Sequence, residues 1–325
     1  MIATNVPYRF GKRNELVVLD ADTFAEVKRT RLLDNTLFFK FSQDPLGRIW
    51  IGYAGAIENP TKRVDVFARD GSLIHSMDLC TWPNATITFA DGAAFVPCYL
   101  NGFHARVAVI DLATFAVETT IEFEAEPHFS LMAAAANQQS VIVIGSSDTH
   151  ATLFIINPKI KTTQQKISFS GGDTFTILVH NERFFLLNRA SSFRPENPVD
   201  LHIIDLDATP KITEHQLAVR DPLLGLIDGE YLWAYHQPGA TNDNGSRAIS
   251  RTNLVTDESQ SWPLPDYWRA GDMMIRNGRI VLTRRHSLDP SETAGLYEFD
   301  PATGKLTQIL ALPGAHLLLL GVAEQ

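Results

Sequence analysis

The chain is poor in the features that usually announce a function. It has only two cysteines, Cys80 and Cys98, too few for a disulfide-built scaffold and not in the Cys-x-x-Cys spacing of a metal or redox site. The reading of both is as ordinary core or loop thiols. No run of Lys or Arg exceeds two residues, and 28 basic against 37 acidic residues give a net charge of −9, so no stripe exists to track a phosphate backbone. Nucleic acid is excluded as an expected partner. The longest apolar run near either end, "AHLLLLGVA" (Ala315 to Ala323), is about half the roughly 20 residues that cross a bilayer, so it reads as a buried strand and no membrane partner is expected. The opening "MIATNVPYRFGKR" lacks the order of a secretion signal, giving a cytoplasmic expectation unless a leader has been removed. Absent too are His-Glu-x-x-His, Gly-x-Ser-x-Gly and a complete phosphate-binding Gly-Lys motif, since "TGKLT" (Thr303 to Thr307) lacks the upstream glycine.

What is present is a repeat. "VVLDADTF" (Val17 to Phe24) is echoed by "VAVIDLATF", "LHIIDLDAT" and "GLYEFDPATG", and more weakly by "LFIINPKIK", "ISRTNLVT" and "VDVFARDG". Anchored at 20, 68, 111, 157, 205, 253 and 300, the copies are spaced 48, 43, 46, 48, 48 and 47 residues apart. Turn signals at Gly47, Asp91-Gly92, Asn137-Gln138, Asn181-Glu182, Asp228-Gly229 and Asn277-Gly278 each precede an anchor by about twenty residues and lie between two apolar runs. Each repeat therefore holds two hairpins, and four antiparallel strands at a period in the forties predict a propeller blade.

Ring closure follows from the ends. Twenty residues reach the first anchor and 25 follow the last, so the termini together supply one more repeat. The predicted fold is all-β, a seven-bladed β-propeller of four-stranded antiparallel blades. It forms a single domain over 1–325, and its first blade is shared by residues 1–33 and 314–325. Three N-terminal strands are joined there by a C-terminal innermost strand from "AHLLLLGVAE". "SLMAAAAN" (Ser130 to Asn137), helical by propensity alone, is expected as an inner strand because small side chains suit the crowded axis.

Taken alone, "VVLDADTF" resembles the nucleophile strand of haloacid dehalogenase phosphatases, which ends in Asp-x-Asp. The second Asp is missing from "DLATF" and "DPATG", and six of the seven anchors are Asp or Asn. A short carboxylate or amide at a strand end accepts hydrogen bonds from the next amides, so Asp20 is expected to be a turn residue. Units such as "VAVIDLATFAVETTIEF" resemble the YVTN-type repeats of seven-bladed bacterial propellers, a superfamily similar also to lactonase-like and quinoprotein-dehydrogenase propellers. The typical "YVTN" strand is replaced here by "IWIGYAG", "FVPCYLN" and "VIVIGSS". The resemblance implies a fold, while related propellers serve as lactonases, lyases, dehydrogenase subunits and binding scaffolds.

The loops joining second to third strands are long and polar, from "YAGAIENPTKR" to "RRHSLDPSETAG", and long loops on one face of a rigid fold are where function is carried. They hold His104, His150, His236 and His286, with His128 and His316 near the starts of inner strands on the same face. With Tyr99, Arg189, Arg284 and Trp268 these residues make the candidate ligand-binding set, suited to an anionic or carbonyl-bearing ligand because Arg offers a bidentate fork and His titrates near neutrality. The leading expectation is a non-catalytic module binding a small molecule or a protein partner. The alternative is a hydrolase or lyase acting on a lactone or similar carbonyl compound, with His236 or His286 as acid/base and Arg284 or Arg189 holding the anion. No cofactor is expected. A divalent ion would need carboxylates such as Glu58, Asp173, Asp221 or Asp272, and no motif supports one.

Overall fold

A computed structural model describes residues 2–5, 15–20, 22–33, 41–53, 61–80, 83, 86–98, 104–124, 130–147, 150–169, 173–189, 199–206, 210–237, 247–266, 268–276, 278–284, 294–311 and 319–320. No helix occurs among them. The chain divides into two compact units, one formed by Met1–Asp78 with Leu264–Gln325 and the other by Leu79–Pro263. The first unit begins with β1 Ile2–Asn5, β2 Glu15–Leu19, β3 Glu26–Arg31, β4 Phe41–Gln43, β5 Ile49–Gly52, β6 Arg63–Phe67 and β7 Leu73–Asp78. The second unit runs through β8 Thr88–Ala90, β9 Ala93–Cys98, β10 His104–Asp111, β11 Val117–Glu124, β12 Ser130–Ala136, β13 Val141–Ser146, β14 Ala151–Asn157 and β15 Thr162–Phe169. It continues with β16 Asp173–His180, β17 Arg183–Arg189, β18 Leu201–Asp205, β19 Lys211–His215, β20 Pro222–Asp228, β21 Tyr231–His236, β22 Ala248–Asn253 and β23 Ser259–Pro263. The first unit resumes with β24 Ala270–Arg276, β25 Arg279–Arg284, β26 Gly295–Asp300, β27 Lys305–Ala311 and β28 Leu319–Leu320.

Six sheets are each built from four consecutive strands, β4 to β7, β8 to β11, β12 to β15, β16 to β19, β20 to β23 and β24 to β27, neighbours pairing antiparallel in sequence order. In the remaining sheet β1, β2 and β3 are joined by β28, whose Leu320 and Leu319 pair with Ile2 and Ala3. Four-stranded up-and-down sheets repeated in this way are the blades of an all-β propeller.

The middle strands carry apolar runs, most continuous in β5, β13 and β14, because both of their faces are covered. In β13, Val141 and Val143 pack with Phe95, Val107 and Val109, while the alternate residues Ile142 and Ile144 pack with Phe184 and Leu186. β2 divides the same way, Leu16 and Val18 against Ile49 and Ile51, Val17 and Leu19 against Val281 and Leu296. A period of two therefore feeds two different inter-blade cores, and an unbroken hydrophobic run results. Each such fully buried aliphatic side chain contributes about 1.5–3 kcal/mol. The alanines of β12 follow the same alternation, Ala134 joining one cluster and Ala133 and Ala135 the other. Their small size lets the inner strand sit close to both, so packing overrides helix propensity. The outermost strands are wet: six of the eight residues of β15 are exposed and the other two half-buried, because nothing in its own sheet covers its far edge.

The turns between third and fourth strands behave as the repeat predicts. Asp20 Oδ1 accepts the amides of Asp22 and Thr23 at 3.0 and 2.8 Å and the Thr23 hydroxyl at 2.7 Å. Asp111 repeats this with Ala113 and Thr114, Asn157 with Lys159 and Ile160, Asn253 with Val255 and Thr256, and Asp300 with Ala302 and the Thr303 hydroxyl. Asp20 is a turn residue, held below the ordinary carboxylate range chiefly by the Thr23 amide. Four residues after each of these anchors the backbone turns left-handed, at Phe24, Phe115, Lys161, Asp257 and Gly304, with φ of 58, 58, 55, 60 and 69°. Only the last is glycine, so the other four hold a conformation that L-residues resist.

One expectation fails. Cys80 and Cys98 are not free thiols: their Cα atoms lie 5.7 Å apart and the sulfurs are bonded, both residues almost fully enclosed. The spacing rules that exclude a metal or redox motif are silent about a single structural bridge, because connectivity depends on which strand ends the fold brings together.

The repeated left-handed position gives a paired prediction. Gly304→Ala lowers stability by about 1 kcal/mol, while Asp257→Gly raises it by a similar or smaller amount, measured by urea unfolding. Equal effects of the same sign would mean that the turn does not hold this conformation.

Candidate functional site

The candidate residues lie where second strands run into third strands, and each unit supplies its own set. In the unit Leu79–Pro263, Asp200 stands just before β18 with its carboxylate buried. Its Oδ1 accepts the Arg220 Nε–H at 3.1 Å and the Asp221 amide at 3.4 Å, and its Oδ2 accepts the Leu217 amide at 3.2 Å. Burial pushes the Asp200 carboxyl up, and the Arg220 guanidinium opposes that shift. The segment thus held leads from β19 into β20, and its Arg220 carbonyl accepts from His236 Nδ1 at 3.0 Å. His236 Nε2 meets Ser250 Oγ at 2.6 Å. With Nδ1 donating to a carbonyl, Nε2 is left to accept the Ser250 hydroxyl, which is the neutral tautomer. Asn188 closes the next position by donating its side-chain amide to the Val199 carbonyl at 3.1 Å.

His236 has no exposed surface, and burial lowers its pKa from 6.5 to about 4. An enclosed, neutral imidazole with both nitrogens engaged ties two strands of one blade to the linker before it. Ser250, 1% exposed, is equally closed to any substrate. His202 on β18 is a second enclosed histidine, its ring 4.6 Å from Phe169 and its pKa lowered by burial.

In the other unit, the Arg284 guanidinium at the end of β25 lies 4.9 Å from the Trp268 ring and 6.0 Å from the Tyr297 ring, which themselves meet edge to face at 4.7 Å. Stacking of this kind orients a cation at little entropic cost. Nearby on the same strand, the Thr283 hydroxyl receives the Asp272 amide at 2.7 Å. At the corresponding end of β5, Tyr53 donates its hydroxyl to Asp65 Oδ2 at 3.0 Å while Arg63 Nε–H donates to Oδ1 at 2.7 Å. Burial and then the Asp65 charge push the Tyr53 phenol up, so it is a permanent donor.

Of the predicted residues, the structure brings Trp268 and Arg284 together. It encloses His236 and places Arg189, partly buried, at the end of β17. His104 opens β10 and Asp173 opens β16, each described here by its backbone. Tyr99, His128, His286, His316 and Glu58 lie outside the described residues. Asp221 is buried in the Asp200 network and Asp272 is half-buried. Among the described residues, no three His, Cys, Asp or Glu side chains gather as a metal ion requires. Sequence reasoning missed Asp200, Arg220, Ser250, Asp65 and Tyr297. The positional signal was available for two of them, since Asp200 lies five residues before its anchor and Asp65 three before its own.

No protein-family profile matches the chain, and no curated protein matches it in sequence. Among solved structures, a functionally unknown protein from Desulfotomaculum acetoxidans superposes with a TM-score of 0.66 at 10% identity, covering 98% of each chain. The dihydro-haem d1 dehydrogenase NirN, in complex with DHE, gives 0.61 at 11% identity over 98% of this chain and 74% of its own. A Bacteroides uniformis protein described provisionally as a 6-phosphogluconolactonase gives 0.61 at 11% identity over 98% and 99%. The chain is an all-β propeller. At such identities the likeness is one of fold, and the differing activities of these propellers do not transfer with it.

The enclosure of His236 makes its titration a direct test. A histidine whose folded pKa is depressed stays neutral while the unfolded chain takes up a proton. Its stabilising contribution is therefore complete above pH 6.5, declines as pH falls toward 4, and is flat below. The decline amounts to about 3 kcal/mol. Chemical denaturation between pH 7 and 4 should show it and His236→Gln should remove it, while the ring resonances should titrate near 4 by NMR. A midpoint near 6.5 would contradict the enclosed geometry.

Proposed function

We propose that this propeller is a non-catalytic binding module that takes a small molecule or a protein partner on the blade ends carrying its long intrablade loops. The observation that carries the reading is the inward commitment of the chemistry-bearing side chains described there. His236 is spent on Arg220 and Ser250, Asp200 on a linker, and Tyr53 and Arg63 on Asp65. Such groups fix the strand ends from which loops project, which is the rigid support a binding surface needs. Arg284, itself buried against the Trp268 and Tyr297 rings, supplies a fixed positive charge at these blade ends that suits an anionic or carbonyl ligand group. Closure of the N-terminal blade by β28 supports the same reading, because a latched sheet keeps those ends in register.

A second reading is a hydrolase or lyase acting on a lactone or similar carbonyl compound. It draws on the likeness to the Bacteroides uniformis propeller, and the enclosure of His236 leaves His286 as the acid/base that it needs. A thermal-shift screen against lactones, sugar acids, organic phosphates and divalent ions, with and without chelator, separates the two. A ligand at 100 times its dissociation constant adds about 2.7 kcal/mol, enough to move the midpoint by several degrees. The expected result is a shift without turnover, weakened in Trp268→Phe and Arg284→Lys. Turnover that is lost in His286→Ala would overturn the binding reading in favour of the second.

A further inference from the structure

The structure assigns the Cys80–Cys98 bond a structural role, and we infer that the chain acquires it and acts in an oxidising compartment outside the cytosol. The two residues are the chain's only cysteines, so no alternative pairing competes within the molecule. Cys98 ends β9, where its backbone pairs with Arg106 of β10, and Cys80 belongs to the segment leading into β8. The bond therefore ties the entry of one blade to the end of that blade's second strand, closing a loop of 18 residues.

Its surroundings argue against the other uses of a cysteine pair. Exposure is 1% at Cys80 and none at Cys98, so neither sulfur is open to the thiolate attack by which catalytic and sensor disulfides are cycled. No group of His, Cys, Asp or Glu able to hold a metal ion gathers among the described residues. A Cα separation of 5.7 Å lies within the range that a disulfide spans without backbone movement. Formation removes two electrons and two protons from the thiols. By thiol–disulfide exchange these pass to a dithiol–disulfide oxidant, whose own disulfide becomes a dithiol as the Cys80–Cys98 bond forms. Such oxidants maintain disulfides outside the cytosol, where glutathione and thioredoxin keep buried pairs reduced as chains are made. This inference is independent of the ligand and of whether the protein is catalytic.

The test uses the chain in its source cells. Cells are fractionated and quenched in acid, and the denatured chain is labelled with a mass-tagging maleimide before and after reduction. The expected result is no tag before reduction and two after, with the chain in the extracytoplasmic fraction. Two tags before reduction would overturn the bond, and an untagged chain confined to the cytosol would overturn the compartment. On the purified full chain, the reduced protein and Cys80→Ala/Cys98→Ala should both melt several degrees below the oxidised protein. Identical midpoints for all three would overturn the structural role.

Discussion

Among the described residues, a carboxylate or amide side chain closes the turn after five of the third strands and sets much of this architecture. The side chain of Asp20, Asp111, Asn157, Asn253 or Asp300 accepts two groups from the residues two and three positions on, usually both backbone amides. That local capture fixes a tight turn, and after three of these anchors the outermost strand begins with a one-residue bulge, seen in the shifts at Val18/Leu19, Val109/Ile110 and Ile155/Ile156. Once the hairpin register is fixed, the alternation of the inner strands is fixed with it. Val143 and Ile144 then enter different cores because they are neighbours in a pleat.

Adjacent blades are joined at these turns by recurring polar side-chain contacts. Lys28 of β3 reaches Asp70 at 3.8 Å, Lys161 reaches Glu118 of β11 at 2.5 Å, and His215 of β19 approaches Asp257 at 3.8 Å. Being exposed, such pairs contribute little each, at most about 1 kcal/mol, and act chiefly by aligning the turn of one blade with the outer strand of its neighbour. The opposite blade ends are organised differently. There the polar groups are enclosed, and buried hydrogen-bonded networks specify position because any alternative leaves a polar atom unpaired. The candidate site therefore rests on supports of unlike strength, salt-sensitive pairs at one end and desolvated networks at the other.

The blade pattern was readable from the chain because the anchors are local. An Asp or Asn followed by Thr or Gly declares its turn within four residues, and the surrounding apolar runs declare strands. The left-handed residue was not readable, since Phe24, Phe115 and Lys161 adopt it against their own preference and only the completed turn imposes it. The site was readable in part. Position along the repeat grouped Arg284 with Trp268, whose side chains do meet, but the residue types could not say that His236 would be enclosed. Its partners, Arg220 and Ser250, lie 16 and 14 residues away along the chain, and no spacing rule links them. The Cys80–Cys98 bond escaped for the same reason, being a product of strand placement and not of motif.

Amide hydrogen exchange at the anchor turns tests the central claim most directly. The amides of Thr23, Ala113, Thr114, Lys159 and Val255 sit in turns beside solvent, where an unbonded amide exchanges at the rate of a free peptide. If the anchor side chains capture them, these amides exchange at least roughly tenfold more slowly, and Asp111→Ala frees those of Ala113 and Thr114 while leaving the other turns unchanged. Free-peptide rates at these positions in the intact protein would contradict the account.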